Sequence, residues 1–163
     1  MTKNWPNKLP IFIVLVSVGA LLFAYYFEFF YDFSPCVLCV YQRIPYGICI
    51  CLGIFSFCKQ KSIRACILLA AICFFINMVL ASYHFGVEQH WWTSVMGCNS
   101  DLIRVSSVDE LKAMLLTKRL PDCDSAEWTF YGITMAGYNA FFSVNLGLIC
   151  LFGFFKKNKE KFV

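Results

Sequence analysis

Two cysteines three positions apart, Cys36 and Cys39, stand in the run Ser34-Pro35-Cys36-Val37-Leu38-Cys39. Thiols at this spacing can close a disulfide, exchange with other thiols, or form half of a metal site. Ser34 suits a helix N-cap and Pro35 the first helical position, so the sequence predicts Cys36 in the first turn of a helix. There the unpaired N–H groups and the helix dipole favour a thiolate. Arg43 lies four residues beyond Cys39 and shares its helical face. Its charge would stabilise a thiolate at Cys39 or an anionic ligand beside it. Snorkelling to lipid headgroups is the other use for such an arginine. Pro45 is expected to bend the helix or loosen its hydrogen bonding near Tyr41.

A second, widely spaced pair is Cys98 and Cys123. As a structural disulfide it would close a loop of about 26 residues, worth roughly 3 kcal/mol by chain entropy. With Cys36 and Cys39 it would make four thiolates, the number a structural zinc needs, but without a tight second spacing. No resident metal is expected. His84, Glu88 and His90 cluster further along. A histidine there can donate a hydrogen bond, and later a proton, to a carbonyl ligand.

The elements that must position these residues are legible in the composition. Of 163 residues, 60% are hydrophobic and only 15% charged, too few charges to cover a soluble fold of this size. That argues for a membrane protein and against disorder or nucleic-acid binding. Four apolar runs are long enough to cross a bilayer, at about 9–30, 40–58, 65–85 and 131–155. The first run continues well past the cleavage-like Val18-Gly19-Ala20, so it is expected to be an uncleaved anchor rather than a signal peptide. Glu28 and Asp32, at its end, are expected to be interfacial polar residues.

Nine basic residues against one acidic residue flank the spans on one side: Lys3, Lys8, Lys59, Lys61, Arg64 and four lysines of the C-terminal tail, opposed only by Glu160. The positive-inside rule places that side, and both termini, in the cytoplasm. The links at about 31–42 and 86–130 then face outward. This topology sorts the cysteines. Cys36, Cys39, Cys98 and Cys123 lie where disulfides persist; Cys49, Cys51, Cys58, Cys66, Cys73 and Cys150 lie in the spans or near the reducing cytosol. The latter six are expected to be small, inert, buried hydrophobes.

The string Ser34-Pro35-Cys36-Val37-Leu38-Cys39-Val40-Tyr41-Gln42-Arg43-Ile44-Pro45-Tyr46 closely resembles the signature of the DsbB family, bacterial inner-membrane oxidases that regenerate the periplasmic disulfide donor DsbA by passing electrons to quinone. The resemblance covers the whole chain, with four spans, both termini inside and one cysteine pair in each outer segment. It implies an all-α membrane protein, a four-transmembrane-helix bundle, acting as a thiol:quinone oxidoreductase. Cys36 and Cys39 would be the quinone-proximal redox pair, with Cys39 the thiolate that meets the quinone and Arg43 the cation that stabilises it. Cys98 and Cys123 would exchange with the partner, Cys98 forming the mixed disulfide. His84 matches the quinone-side histidine. The cofactor would be ubiquinone or menaquinone. The partners would be a periplasmic DsbA-like dithiol and the quinone pool of the membrane lipid.

Within the long outer link, Ser107-Val108-Asp109-Glu110 has a capping-box pattern, followed by apolar residues on one face up to Lys118 and Arg119. A short amphipathic helix is expected there, either on the membrane surface or packed on the rest of the loop. Asp122 and Asp124 flank Cys123 and would make it a poorer leaving group, against its assigned role. Trp91 and Trp92 suit an aromatic belt at the interface. Three other readings compete: a scaffold with two structural disulfides, a zinc-binding membrane protein, and an enzyme like vitamin K epoxide reductase. The last would carry its CxxC late in the chain.

Overall fold

The first apolar run has no polar break before Glu28, and a single helix, α1 (Trp5–Phe30), covers it. The computed structural model describes residues 5–93, 123–124 and 128–159. Three more long helices follow: α2 (Val37–Cys58), α3 (Ile63–Glu88) and α4 (Met135–Lys159). A single 3₁₀ turn at Gln60–Ser62 joins α2 to α3, so those two helices are antiparallel neighbours. All four helices are long and apolar enough to span a membrane. The protein is an all-α membrane protein with four such helices among the described residues.

The ends differ from the hydropathy reading in informative ways. The second span begins at Val37, not about 40, because its cap lies at Cys36. The third runs on to Glu88, because His84 and Glu88 find partners inside the bundle. The fourth starts at Met135, not Tyr131. Residues 129–134 instead form a hairpin, β1 (Thr129–Phe130) paired antiparallel with β2 (Ile133–Thr134), Phe130 facing Ile133. Its two turn residues, Tyr131 and Gly132, both have positive φ, 49° and 76°. That is the backbone of a type I′ turn, which matches the twist of paired strands. The expected amphipathic helix around 107–119, together with Cys98 and Asp122, lies outside the described residues.

Lipid offers no hydrophobic drive between helices, so close packing must hold them together. One cluster fills the bundle: Leu9 and Ile13 of α1, Tyr46 and Cys49 of α2, Ile67 and Phe74 of α3, Leu146 and Cys150 of α4. Gly53 lets α2 approach α1, since a Cβ there would fall 2.2 Å from Val14 Cγ2. Pro45 stays within an unbroken α2. Of the six span cysteines, Cys49, Cys66 and Cys150 are buried and Cys73 half-buried, as expected. Cys51 and Cys58 are exposed on the outer surface of α2, which corrects the expectation for those two. A second, smaller cluster lies at the other end of the bundle: Cys36, Leu38, Val87 and Cys123.

Candidate active site

Pro35 carries no N–H, and Cys36 after it is extended, with φ −71° and ψ 168°. The Cys36 sulfur then accepts the Cys39 N–H at 3.3 Å, so Cys36 itself is the N-cap of α2. Ser34 therefore does not cap the helix, and Cys36 stands just ahead of the first turn rather than in it. Cys39 is the residue in that turn, close to the unpaired N–H groups of the helix end. The two sulfurs are 3.3 Å apart, with the Cys36 thiol donating to Cys39 Sγ. This hydrogen bond, then burial, pushes the Cys36 thiol up to about 12, against an opposing pull from His84. Cys36 therefore holds the proton of the reduced pair.

α3 brings His84 to the same place. It is 2% exposed, with Nε2 3.4 Å from Cys36 Sγ. Gln42, one turn beyond Leu38 on α2, donates from Nε2 to His84 Nδ1 at 2.8 Å. Glu88 Oε1 lies 3.6 Å from His84 Nε2, and the other Glu88 oxygen accepts from the Thr134 hydroxyl. Thr134 Oγ1 in turn accepts the Gly137 N–H at 3.3 Å, the N-cap of α4. His90 is exposed and takes no part in these contacts.

Arg43 does not snorkel away. Its Nη1 donates to Glu28 Oε2 at 2.6 Å, and its guanidinium lies 4.7 Å from the centre of the Tyr25 ring. Glu28, expected to be a plain interfacial residue, is thus the anchor of Arg43. Both line a cavity of about 810 Å³ between α1, α2 and α4. Cys39, Gln42, His84 and Glu88 also border it, while rings such as Phe23, Phe27, Trp128 and Phe142 form the rest of its wall. This is the usual make-up of a small-molecule site: a large apolar space with a few convergent polar groups. The cavity suits a lipid-soluble, ring-shaped ligand with polar oxygens. Arg43 would hold an oxygen carrying negative charge, and the rings would hold an apolar body.

Cys123 is 1% exposed and packs with Cys36 in the smaller cluster. One cysteine of the long link therefore lies against the cap of α2. The other, Cys98, is outside the described residues. Cys36, Cys39 and His84 present three donor atoms within 4.8 Å of one another, a set that suits a soft cation. The Gln42 amide weighs against that use, because donation to Nδ1 leaves the ring proton on Nε2, the nitrogen facing the sulfurs.

Sequence reasoning missed the polar residues beneath the site. Asn139 of α4 donates to Gln42 Oε1 at 2.6 Å, and the Tyr46 hydroxyl donates to Asn139 Oδ1 at 2.6 Å. Asn77 of α3 donates to Ser143 Oγ at 2.9 Å. The available signal was polar side chains inside apolar runs, which are costly in lipid and mark functional interiors.

A sequence model of one protein family, described as "DsbB: Disulfide bond formation protein DsbB", matches residues 6–153. Among curated proteins, the uncharacterized protein RP370 of Rickettsia prowazekii (strain Madrid E) is 28% identical over 98% of both chains. The "Disulfide bond formation protein B" of Xylella fastidiosa (strain 9a5c) is 26% identical over 90% of this chain and 88% of its own. That of Albidiferax ferrireducens is 27% identical over 91% and 85%. No solved structure shows a significant match.

Proposed function

The chain belongs to the DsbB family, and on that premise we propose that it is a thiol:quinone oxidoreductase that reoxidises a periplasmic DsbA-like dithiol. It is a multi-pass membrane protein of disulfide bond formation. The inner membrane is its proposed location, with both termini in the cytoplasm and the redox cysteines facing the periplasm. The observation that carries the proposal is the placement of Cys36 and Cys39 between buried Cys123 and the cavity that Arg43 and Glu28 border.

Exchange proceeds sulfur by sulfur. A thiolate of the partner attacks Cys98 of a Cys98–Cys123 disulfide, and Cys123 leaves as thiolate. The partner's second thiolate then attacks its own mixed disulfide and releases Cys98, so the partner is oxidised and the loop pair reduced. Cys123 next attacks Cys36 of a Cys36–Cys39 disulfide and displaces Cys39. Cys123 packs in one cluster with Cys36, and Cys39 lies against the same cluster, which supports direct exchange between the two pairs. Cys98 attack on Cys123 frees Cys36 and restores the loop disulfide. Two electrons and two protons then reside on Cys36 and Cys39.

Bound quinone supplies a two-electron, two-proton sink, and a DsbA-type donor near −120 mV makes a strong acceptor necessary. Arg43 holds negative charge on the cavity side of Cys39. His84 presents its ring on the Cys36 side, 3.4 Å from the sulfur. The aromatic walls keep water from the reduced pair.

The test is quinone reduction by the purified protein with a reduced DsbA-type donor, followed by quinone absorbance. Rapid bleaching is expected, lost in both Cys98→Ala and Cys39→Ser. The Cys39→Ser protein should still trap the partner at Cys98. Turnover unchanged in Cys39→Ser would remove the scheme. No bleaching at all, with all four cysteines disulfide-bonded, would return the pairs to a structural role.

A further inference from the structure

Four side chains from three helices form a directed chain that ends at the cysteine pair. The Tyr46 hydroxyl donates to Asn139 Oδ1 at 2.6 Å. Asn139 Nδ2 donates to Gln42 Oε1 at 2.6 Å. Gln42 Nε2 donates to His84 Nδ1 at 2.8 Å. A side-chain amide nitrogen can only donate, so Nδ1 must accept. A ring accepting at Nδ1 is neutral and carries its proton on Nε2. That nitrogen faces Cys36 Sγ at 3.4 Å and Glu88 Oε1 at 3.6 Å.

The direction of the chain is not an arbitrary choice of amide orientation. Asn139 Oδ1 is where Tyr46, Asn77 Nδ2 at 3.4 Å and Ser143 Oγ at 3.5 Å all converge as donors. Turning the Asn139 amide would set its amino group against that of Asn77. Turning Asn77 as well would relieve the clash only by placing an amino group where Asn77 Oδ1 now lies. That site is buried and has no hydrogen-bond partner among the described residues. An orphaned N–H is rarer and harder to tolerate than an under-used carbonyl. The reverse chain is therefore the costlier one.

We propose that Gln42, Asn139 and Tyr46 are positioning residues that hold His84 in the tautomer with its proton on Nε2, aimed at Cys36 Sγ. Negative charge appears on Cys36 whenever thiol exchange releases it from a disulfide. A hydrogen bond from Nε2–H then meets that charge without any rearrangement of the ring, and the proton remains on the nitrogen. The opposite tautomer would offer the sulfur a lone pair instead. This consequence for turnover rests on the thiol-exchange reading of the site; the tautomer itself does not.

The chain has two histidines, so His90→Asn leaves His84 as the only ring to observe. Nitrogen-15 NMR of the full-length, histidine-labelled protein in lipid reports which ring nitrogen carries the proton. Protonation at Nε2 alone is expected. Gln42→Met should move the ring toward a mixture of tautomers. Asn139→Leu, which never touches the ring, should move it the same way, because the Gln42 amide is then free to turn. It also keeps the test intact if Gln42→Met does not fold. Both variants should lose roughly 10-fold or more in kcat for quinone reduction, the loss expected when a hydrogen-bond donor to a developing anion is misaimed. A wild-type ring protonated at Nδ1, or a ring unmoved by Asn139→Leu, would overturn the proposal. A wild-type protein with the expected ring but no turnover would overturn the oxidase reading instead.

Discussion

Arg43 and Glu28 show how much one partner changes the meaning of a residue. At 2.6 Å, with side chains 17% and 25% exposed, the pair is bound at the rim of the cavity rather than free in the headgroups. Under the proposed function, Arg43→Ala should raise the KM for quinone by roughly 10-fold, the value of one charge-assisted contact of about 1.4 kcal/mol. Glu28→Ala should raise it in the same direction, because the guanidinium loses its anchor. The double variant should cost less than the sum, and additivity in that cycle would mean Glu28 does not act through Arg43. Cys36 supports a pH test. Its thiol is raised from the usual range to about 12 by the Cys39 hydrogen bond and burial. In the reduced native protein Cys36 should therefore resist alkylation at pH 8 to 9, and its labelling should rise steeply only as pH approaches 12. Mass spectrometry of the labelled peptide checks this, and ready labelling of Cys36 at pH 8 would contradict the shift. The pattern of cysteines and Arg43 was readable in sequence because spacing within one helix fixes who shares a face. Their partners were not, since Glu28 is 15 positions away, His84 is 48 from Cys36, and Asn139 is 97 from Gln42.

The helices were legible for a different reason: a lipid-spanning segment must be both long and apolar, and few other arrangements satisfy that. What hydropathy could not place were the ends. The apolar run begins near Val40 and Ser34-Pro35 reads as the helix start; the helix begins between them, at Val37, because its cap is the Cys36 sulfur and not the Ser34 hydroxyl. Tyr131–Thr134 looked like the start of a span because Tyr131 and Ile133 are apolar, and a Tyr-Gly turn lacks the Asn-Gly pattern that usually signals a hairpin. The hairpin matters because it delivers Thr134. That residue caps α4 through the Gly137 N–H and donates to Glu88 of α3, joining two helices at the level of His84. Thr134→Val keeps the shape and removes both bonds. It should destabilise the protein by about 1–2 kcal/mol, through a lost cap and an unpaired carboxylate oxygen. A fall in the thermal midpoint in detergent measures it, and an unchanged midpoint would show that neither bond contributes.

Across the whole molecule, the polar interior runs beside the cavity rather than along the outer surface. Tyr46, Asn77, Asn139 and Ser143 hydrogen-bond to one another within the bundle, while the cavity wall is mostly carbon. Hydropathy described this molecule from outside, as four long apolar helices, and charge added an expectation for the side each link faces. They could not describe its inside, because the interior is defined by which helices meet, and periodicity in a uniformly apolar helix carries little of that. The cavity has one more property. Several residues that border it, Phe23 at 56% and Phe141 at 70% exposed, are also surface residues in the apolar zone. A ligand can therefore enter sideways from the hydrocarbon, without passing through water. Its effective concentration is then its mole fraction in the surrounding lipid or detergent, not its molarity in the tube. Adding empty micelles at fixed total quinone should slow the protein as though quinone had been removed, and adding buffer at a fixed micelle-to-quinone ratio should not.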